Sequence, residues 1–175
     1  MPSKIRANLE LGTQIVIAIA IVVVAGVLVK RQLFSASRPT NAPRINAGEK
    51  INAPNVDWAQ NQKSLVFFLQ KGCVYCTQAA PFYRQIIADA SNKKVVSLAI
   101  LPNSEEEARQ YLHSLDLPIQ NVRIGPLDSY KIHGTPTMLF VNRDGIVTNV
   151  WFGAAAPGAE PEIRAQLTKL FDAGN

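Results

Sequence analysis

Leu65-Val66-Phe67-Phe68-Leu69-Gln70-Lys71-Gly72-Cys73-Val74-Tyr75-Cys76 holds the only two cysteines of the 175-residue chain. An unbroken apolar run of this length reads as a buried strand. A glycine directly before Cys73 suits a turn from that strand into a helix. Such a turn delivers the first thiol to a helix N-terminus, where unpaired backbone N–H groups and the helix dipole favour an anion. The thiolate is the form that attacks disulfides. The second cysteine, one turn on, can close a ring with the first. Lys71 adds a positive charge nearby and is a candidate tuner of the thiol.

Working outward, residues 77–90 continue as a helix, with Ala80, Ile86, Ile87 and Ala90 apolar among Arg84, Gln85 and Asp89. Pro81 falls inside it, where it removes an N–H and crowds the preceding turn. Further along stands Gly134-Thr135-Pro136-Thr137, followed by the apolar run Met138-Leu139-Phe140-Val141. Asn142-Arg143-Asp144-Gly145 reads as a hairpin turn, with 146–152 as the partner strand. Residues 160–171 form an amphipathic helix with Ile163, Leu167 and Leu170 on one face. In the middle, 95–101 is a strand. Ser104-Glu105-Glu106-Glu107 is a capping-box start to a helix ending near Ser114. Residues 121–124 suit a short strand, and 127–132 a short helical turn.

A strand, Cys-x-x-Cys, a proline five residues after the second cysteine, and a distant Gly-Thr-Pro-Thr resemble the thioredoxin superfamily over roughly residues 56–171. The longer middle is similar to the membrane-anchored, extracytoplasmic thioredoxin-like reductases, and more loosely to peroxiredoxins. Gln70-Lys71-Gly72-Cys73 is not the Thr-x-x-Cys context of a peroxidatic cysteine. The resemblance implies an α/β fold, a central mixed β-sheet flanked by helices. It implies a cis Thr135–Pro136 bond facing the thiols, and a substrate chain held beside Gly134 and Thr135. It implies thiol–disulfide exchange with Cys73 as nucleophile and Cys76 as resolving thiol, with Pro136 positioning the substrate and Tyr75 shaping its contact surface. The chain departs from the family pattern in two places. Gly72 stands where thioredoxins place tryptophan, and Phe67 stands where they bury an acid, leaving water or His133 to take the Cys76 proton.

Leu11 to Val29 contains no charged residue. As a helix it spans roughly 28 Å, enough for a bilayer core of about 30 Å. Lys30-Arg31 directly after it disfavours cleavage there. The domain plan is therefore a short tail over 1–10, a transmembrane anchor over 11–29, a tether over 30–54 with three prolines after Arg38, and a thioredoxin-like domain over 55–175. The net charge of +5 arises entirely in residues 1–44, which hold six basic side chains and one acid; 45–175 hold twelve of each. This pattern suits anionic headgroups and gives no basic groove for nucleic acid. Counting basic residues at the ends of the span leans toward a cytoplasmic domain, whereas the family resemblance places it outside, on the periplasmic side. The expected partners are disulfide-containing proteins and a membrane electron donor, with apocytochrome c as one substrate the resemblance suggests.

Other readings of the cysteine pair fare less well. A structural bridge across so small a loop removes little chain entropy. A closed zinc site needs four ligands, and the chain offers only His113 and His133 besides the cysteines. Haem attachment needs histidine after Cys76, where Thr77 stands. A copper-handling module using Cys73, Cys76 and His133 is the alternative function. No organic cofactor or resident metal is expected.

Overall fold

The computed structural model describes residues 43–173. The elements follow in the order α1 (Trp58–Asn61), β1 (Lys63–Phe68), α2 (Val74–Asn92), β2 (Val96–Leu101), α3 (Glu105–Ser114), β3 (Asn121–Ile124), a 3-10 turn (Leu127–Tyr130), β4 (Thr137–Asn142), β5 (Val147–Phe152) and α4 (Glu160–Asp172). Five strands form one mixed sheet in the order β3-β2-β1-β4-β5. β1 runs parallel to β2 and antiparallel to β4, so it is the centre of the sheet. A central strand is covered on both faces, which is why β1 shows an unbroken apolar run rather than alternation.

Alternation along β1 divides the core in two. Leu65, Phe67 and Leu69 enter a core shared with Ala79, Tyr83 and Ile86 of α2, Ala108 and Leu112 of α3, and Leu167 and Phe171 of α4. Val66 and Phe68 enter the opposite core with Leu98, Ile100, Leu139 and Val141. The helix starts follow local chemistry. Ser104 caps α3 by accepting the Glu107 N–H, and its hydroxyl donates to Glu107 Oε2 at 3.4 Å, the expected capping box. Lys63 Nζ donates to the carbonyls of Phe171 (3.0 Å) and Ala173, placing a cation at the negative end of the α4 dipole.

The expected tether needs a correction where the structure describes it. Residues 43–54 are not a free linker, because Ile45, Ile51 and Ala53 are buried in the second core. The segment is stitched down by Gly48 N–H to Val147 O (2.7 Å), Val147 N–H to Glu49 O (2.9 Å) and Ile51 N–H to Gly145 O (2.9 Å). The prolines signalled a spacer, but Ile45, Ile51 and Ala53, at irregular intervals, join Tyr130 and Ile132 in covering this face of the sheet. The packed unit thus begins at least as early as Pro43. At the hairpin, Gly145 adopts φ +77°, and a Cβ there would lie 2.9 Å from Trp58 Cδ1, so glycine is required on both counts. Trp58 itself packs against the second core.

Among the described residues no helix is long and apolar enough to cross a membrane. The expected tail and span at 1–29 lie outside the described residues.

Candidate active site

Gly72, at φ +81°, turns the chain from β1 toward α2 in a conformation that side chains resist. The turn is closed by Cys73 N–H to Gln70 O (3.1 Å) and Lys71 N–H to Asn103 Oδ1 (3.2 Å). Cys73 is then the N-cap residue of α2, and its Sγ accepts the Cys76 N–H at 3.1 Å. A sulfur occupies the place that a serine or aspartate oxygen usually takes at a helix start. Negative charge on Sγ is therefore stabilised by an N–H donor and by the helix dipole.

Cys73 and Cys76 form a disulfide, with Cα atoms 5.2 Å apart. The two sulfurs differ in access. Cys76 is fully buried, whereas Cys73 is half-buried at the surface. Only Cys73 can meet an incoming disulfide, which orders the pair as nucleophile and resolving thiol. Pro81 sits on the solvent side of α2, and the helix continues through it.

The Thr135–Pro136 bond is cis, and the Thr135 carbonyl oxygen lies 3.4 Å from Cys73 Sγ. The Gly134-Thr135-Pro136 segment, sixty residues away in sequence, thus meets the thiol. Thr137 Oγ1 donates to Gly134 O at 2.8 Å and Gly153 N–H to Pro136 O at 2.8 Å, holding the loop from both ends. Val74 and Tyr75 are 66% and 63% exposed, giving the site an apolar rim where a protein substrate can lie.

The two expected tuners, Lys71 and His133, have polar partners of their own. Lys71 is in an ion pair with Glu107 at 2.8 Å. The ammonium in turn holds the Glu107 carboxyl below its ordinary range. Its charge is thus largely answered by that carboxylate, because an oxygen three residues into α3 reaches back over the turn. His133 has both ring nitrogens against oxygens, Nδ1 at 3.1 Å from Asp128 Oδ1 and Nε2 at 3.3 Å from Pro43 O. Neither nitrogen is left to serve the thiols. The set of Cys73, Cys76 and His133 weighed for copper is therefore not assembled. Among the described residues no group of three histidine, cysteine, aspartate or glutamate side chains is placed to hold a metal ion.

Cys76 lies in an apolar floor shared with Phe67 and Tyr83. Phe67 is fully buried and packs its ring at a 60° tilt to that of Tyr83, with centroids 5.0 Å apart; burial pushes the Tyr83 hydroxyl far up from its ordinary range. Two residues missed by sequence reasoning touch the site. Thr77 donates its hydroxyl (3.3 Å) and its N–H (3.2 Å) to the Cys73 carbonyl, and Tyr111 Oη stands 3.5 Å from the same oxygen. Tyr111 carried no signal, because its reach from α3 depends on packing across the core.

A family model for a thioredoxin-like domain matches residues 58–169. A thiol:disulfide interchange protein from a Bacteroides species superposes with a TM-score of 0.57 at 15% identity, over 76% of this chain and 93% of that one. The thioredoxin domain of a thiol–disulfide oxidoreductase from Bacteroides vulgatus gives 0.56 at 15% identity, over 70% and 99%. A thioredoxin-family thiol:disulfide interchange protein from Chlorobium tepidum gives 0.53 at 14% identity, over 73% and 98%. At such identities the likeness is one of fold. A comparison with curated proteins finds no significant match.

Proposed function

The chain belongs to the family of thioredoxin-like domains, and from that premise we propose that it is a membrane-anchored thiol–disulfide oxidoreductase reducing disulfides of extracytoplasmic proteins. The observation that carries this reading is the inequality of the two sulfurs. Cys73 is reachable, at a helix N-terminus and beside the Thr135 carbonyl, while Cys76 is buried behind it. In the dithiol form, the Cys73 thiolate attacks one sulfur of the substrate disulfide, forming a Cys73–substrate bond and releasing one substrate thiolate. Cys76, deprotonated, then attacks Cys73 Sγ. The Cys73–Cys76 bond forms, the mixed disulfide breaks, and the second substrate thiolate leaves. Two electrons pass from the dithiol to the substrate, and its two protons end on the substrate thiols. The apolar floor supplies no carboxylate for the Cys76 proton, so the released substrate thiolate or water takes it.

The oxidised pair must then be reduced by a second dithiol, which we assign to an electron-donating membrane protein. The membrane assignment rests on the uncharged Leu11–Val29 stretch and its basic flanks. The extracytoplasmic side rests on likeness to anchored thioredoxin-like proteins. The deciding measurement is the reduction potential of Cys73–Cys76 in the full chain in detergent, equilibrated against a glutathione or dithiothreitol series. A value near about −270 mV is expected for a reductant. A value near about −120 mV, the range of strong oxidants, would reverse the direction and remove the reductase reading.

A further inference from the structure

A groove of about 320 Å³ opens beside the Thr135 carbonyl. Pro102, Pro126, Leu127 and the buried Ile132 give it apolar lining, with Gly134 and Thr135 of the active-site loop beside them. Thr135 therefore belongs both to this groove and to the contact with Cys73 Sγ. A polypeptide whose disulfide is being attacked by Cys73 can therefore reach this opening with its neighbouring residues.

Gln70, Asp128 and His133 supply polar groups to the lining. Asp128 is the only carboxylate lining it, and neither lysine nor arginine does. The Asp128 side chain is 85% exposed, with Oδ1 engaged by His133 and no partner on Oδ2 among the described residues. The two lysines closest in sequence are both answered, Lys71 by Glu107 and Lys131 by Glu49. Apolar lining beside an exposed carboxylate matches a side chain with an apolar stem and a cationic tip, since lysine and arginine lay their methylenes on apolar surface and keep the charge in water.

We propose that this groove is a specificity subsite that takes a lysine or arginine side chain next to the attacked cysteine of the substrate, with Asp128 as the residue that selects it. His133 is then a positioning residue, holding the Asp128 carboxylate at the mouth. The proposal rests on the oxidoreductase reading and names the substrate class for it. A solvated ion pair contributes modestly, so the expected preference for a basic over an acidic neighbour is about two- to fivefold.

The test uses the reduced full chain in detergent and peptides that differ only beside one cysteine, placing lysine, norleucine or glutamate on either side. The cysteine is held as a mixed disulfide with mercaptoethanol. Initial rates of reduction are read by chromatography and divided by the norleucine rate for each variant. The lysine peptide is expected to exceed the glutamate peptide by the stated factor, less so in strong salt. The ratio should fall to about one in Asp128→Asn and persist in Asp128→Glu. A ratio near one in the unaltered protein, or one that survives Asp128→Asn, overturns the subsite while leaving the oxidoreductase intact. Failure to reduce any peptide overturns the oxidoreductase reading and the subsite with it.

Discussion

The two faces of the sheet are closed by different means. One is covered by α2, α3 and α4, whose apolar residues recur at helical spacing, and it carries the cysteine pair at the start of α2. The other is covered by residues 43–53, the single turn of α1 and the 3-10 turn. Helical cover brings its own backbone hydrogen bonds and periodic pattern. Strap cover has no periodic pattern and little backbone bonding of its own beyond Glu49 N–H to Asn46 O, so it depends on a few anchors, Ile45, Ile51 and Ala53, and on bonds to Gly145 and Val147. Catalytic chemistry sits on the self-supporting side, while the strap side meets the active-site loop through Pro43 and His133.

The sharpest division between the faces is in activity. Cys73→Ser is expected to abolish disulfide exchange and leave the fold intact. Cys76→Ser should trap the mixed disulfide with substrate, visible as a covalent adduct by mass spectrometry. If Cys76→Ser turned over normally while Cys73→Ser accumulated adduct, the order assigned from burial would be reversed.

Neighbouring phenylalanines compare the packing of the faces directly, because Phe67 and Phe68 are both fully buried and point opposite ways. Each change to alanine should cost about 3–5 kcal/mol in denaturant unfolding. A much smaller cost for Phe68→Ala would mean that the strap side collapses into the vacated space. Ile51→Ala tests the strap itself, with an expected loss of about 2–5 kcal/mol. A loss within about 0.5 kcal/mol, the level of ordinary surface substitutions, would return residues 43–53 to the status of a tether.

The smallest effect concerns Glu107. Lys71 depresses its folded-state pKa, so the pair adds stability only where the unfolded glutamate is already ionised. That increment is present above the ordinary glutamate range and is lost as pH falls through the depressed value. Glu107→Gln should therefore differ from the unaltered chain at neutral pH and converge with it in acid. Both groups are exposed, so the gap is small. Divergence in acid instead would contradict the sign.

Legibility followed the same divide. The strand before Cys73, the helices over 74–92, 105–114 and 160–172, and the hairpin at Asn142–Gly145 were readable because period, caps and turn residues are local. The strap was not, since Ile45 and Ile51 are six residues apart with no shared period, and their burial depends on a sheet built later in the chain. The pairing of Lys71 and His133 was not legible for a related reason. Their partners Glu107, Asp128 and Pro43 are set by how loops converge.

By itself the sequence determined that a thiol pair would stand at the junction of a buried strand and a helix, because adjacent residues and the backbone preference of glycine encode it. That the Gly-Thr-Pro-Thr loop is its counterpart was implied by the resemblance to thioredoxins alone. Only the tertiary structure decided which sulfur is reachable, which charges are already spoken for, and that Asp128 and Thr135 line one groove. Burial and ion pairing arise between residues distant along the chain, and no local pattern encodes the distances that govern them.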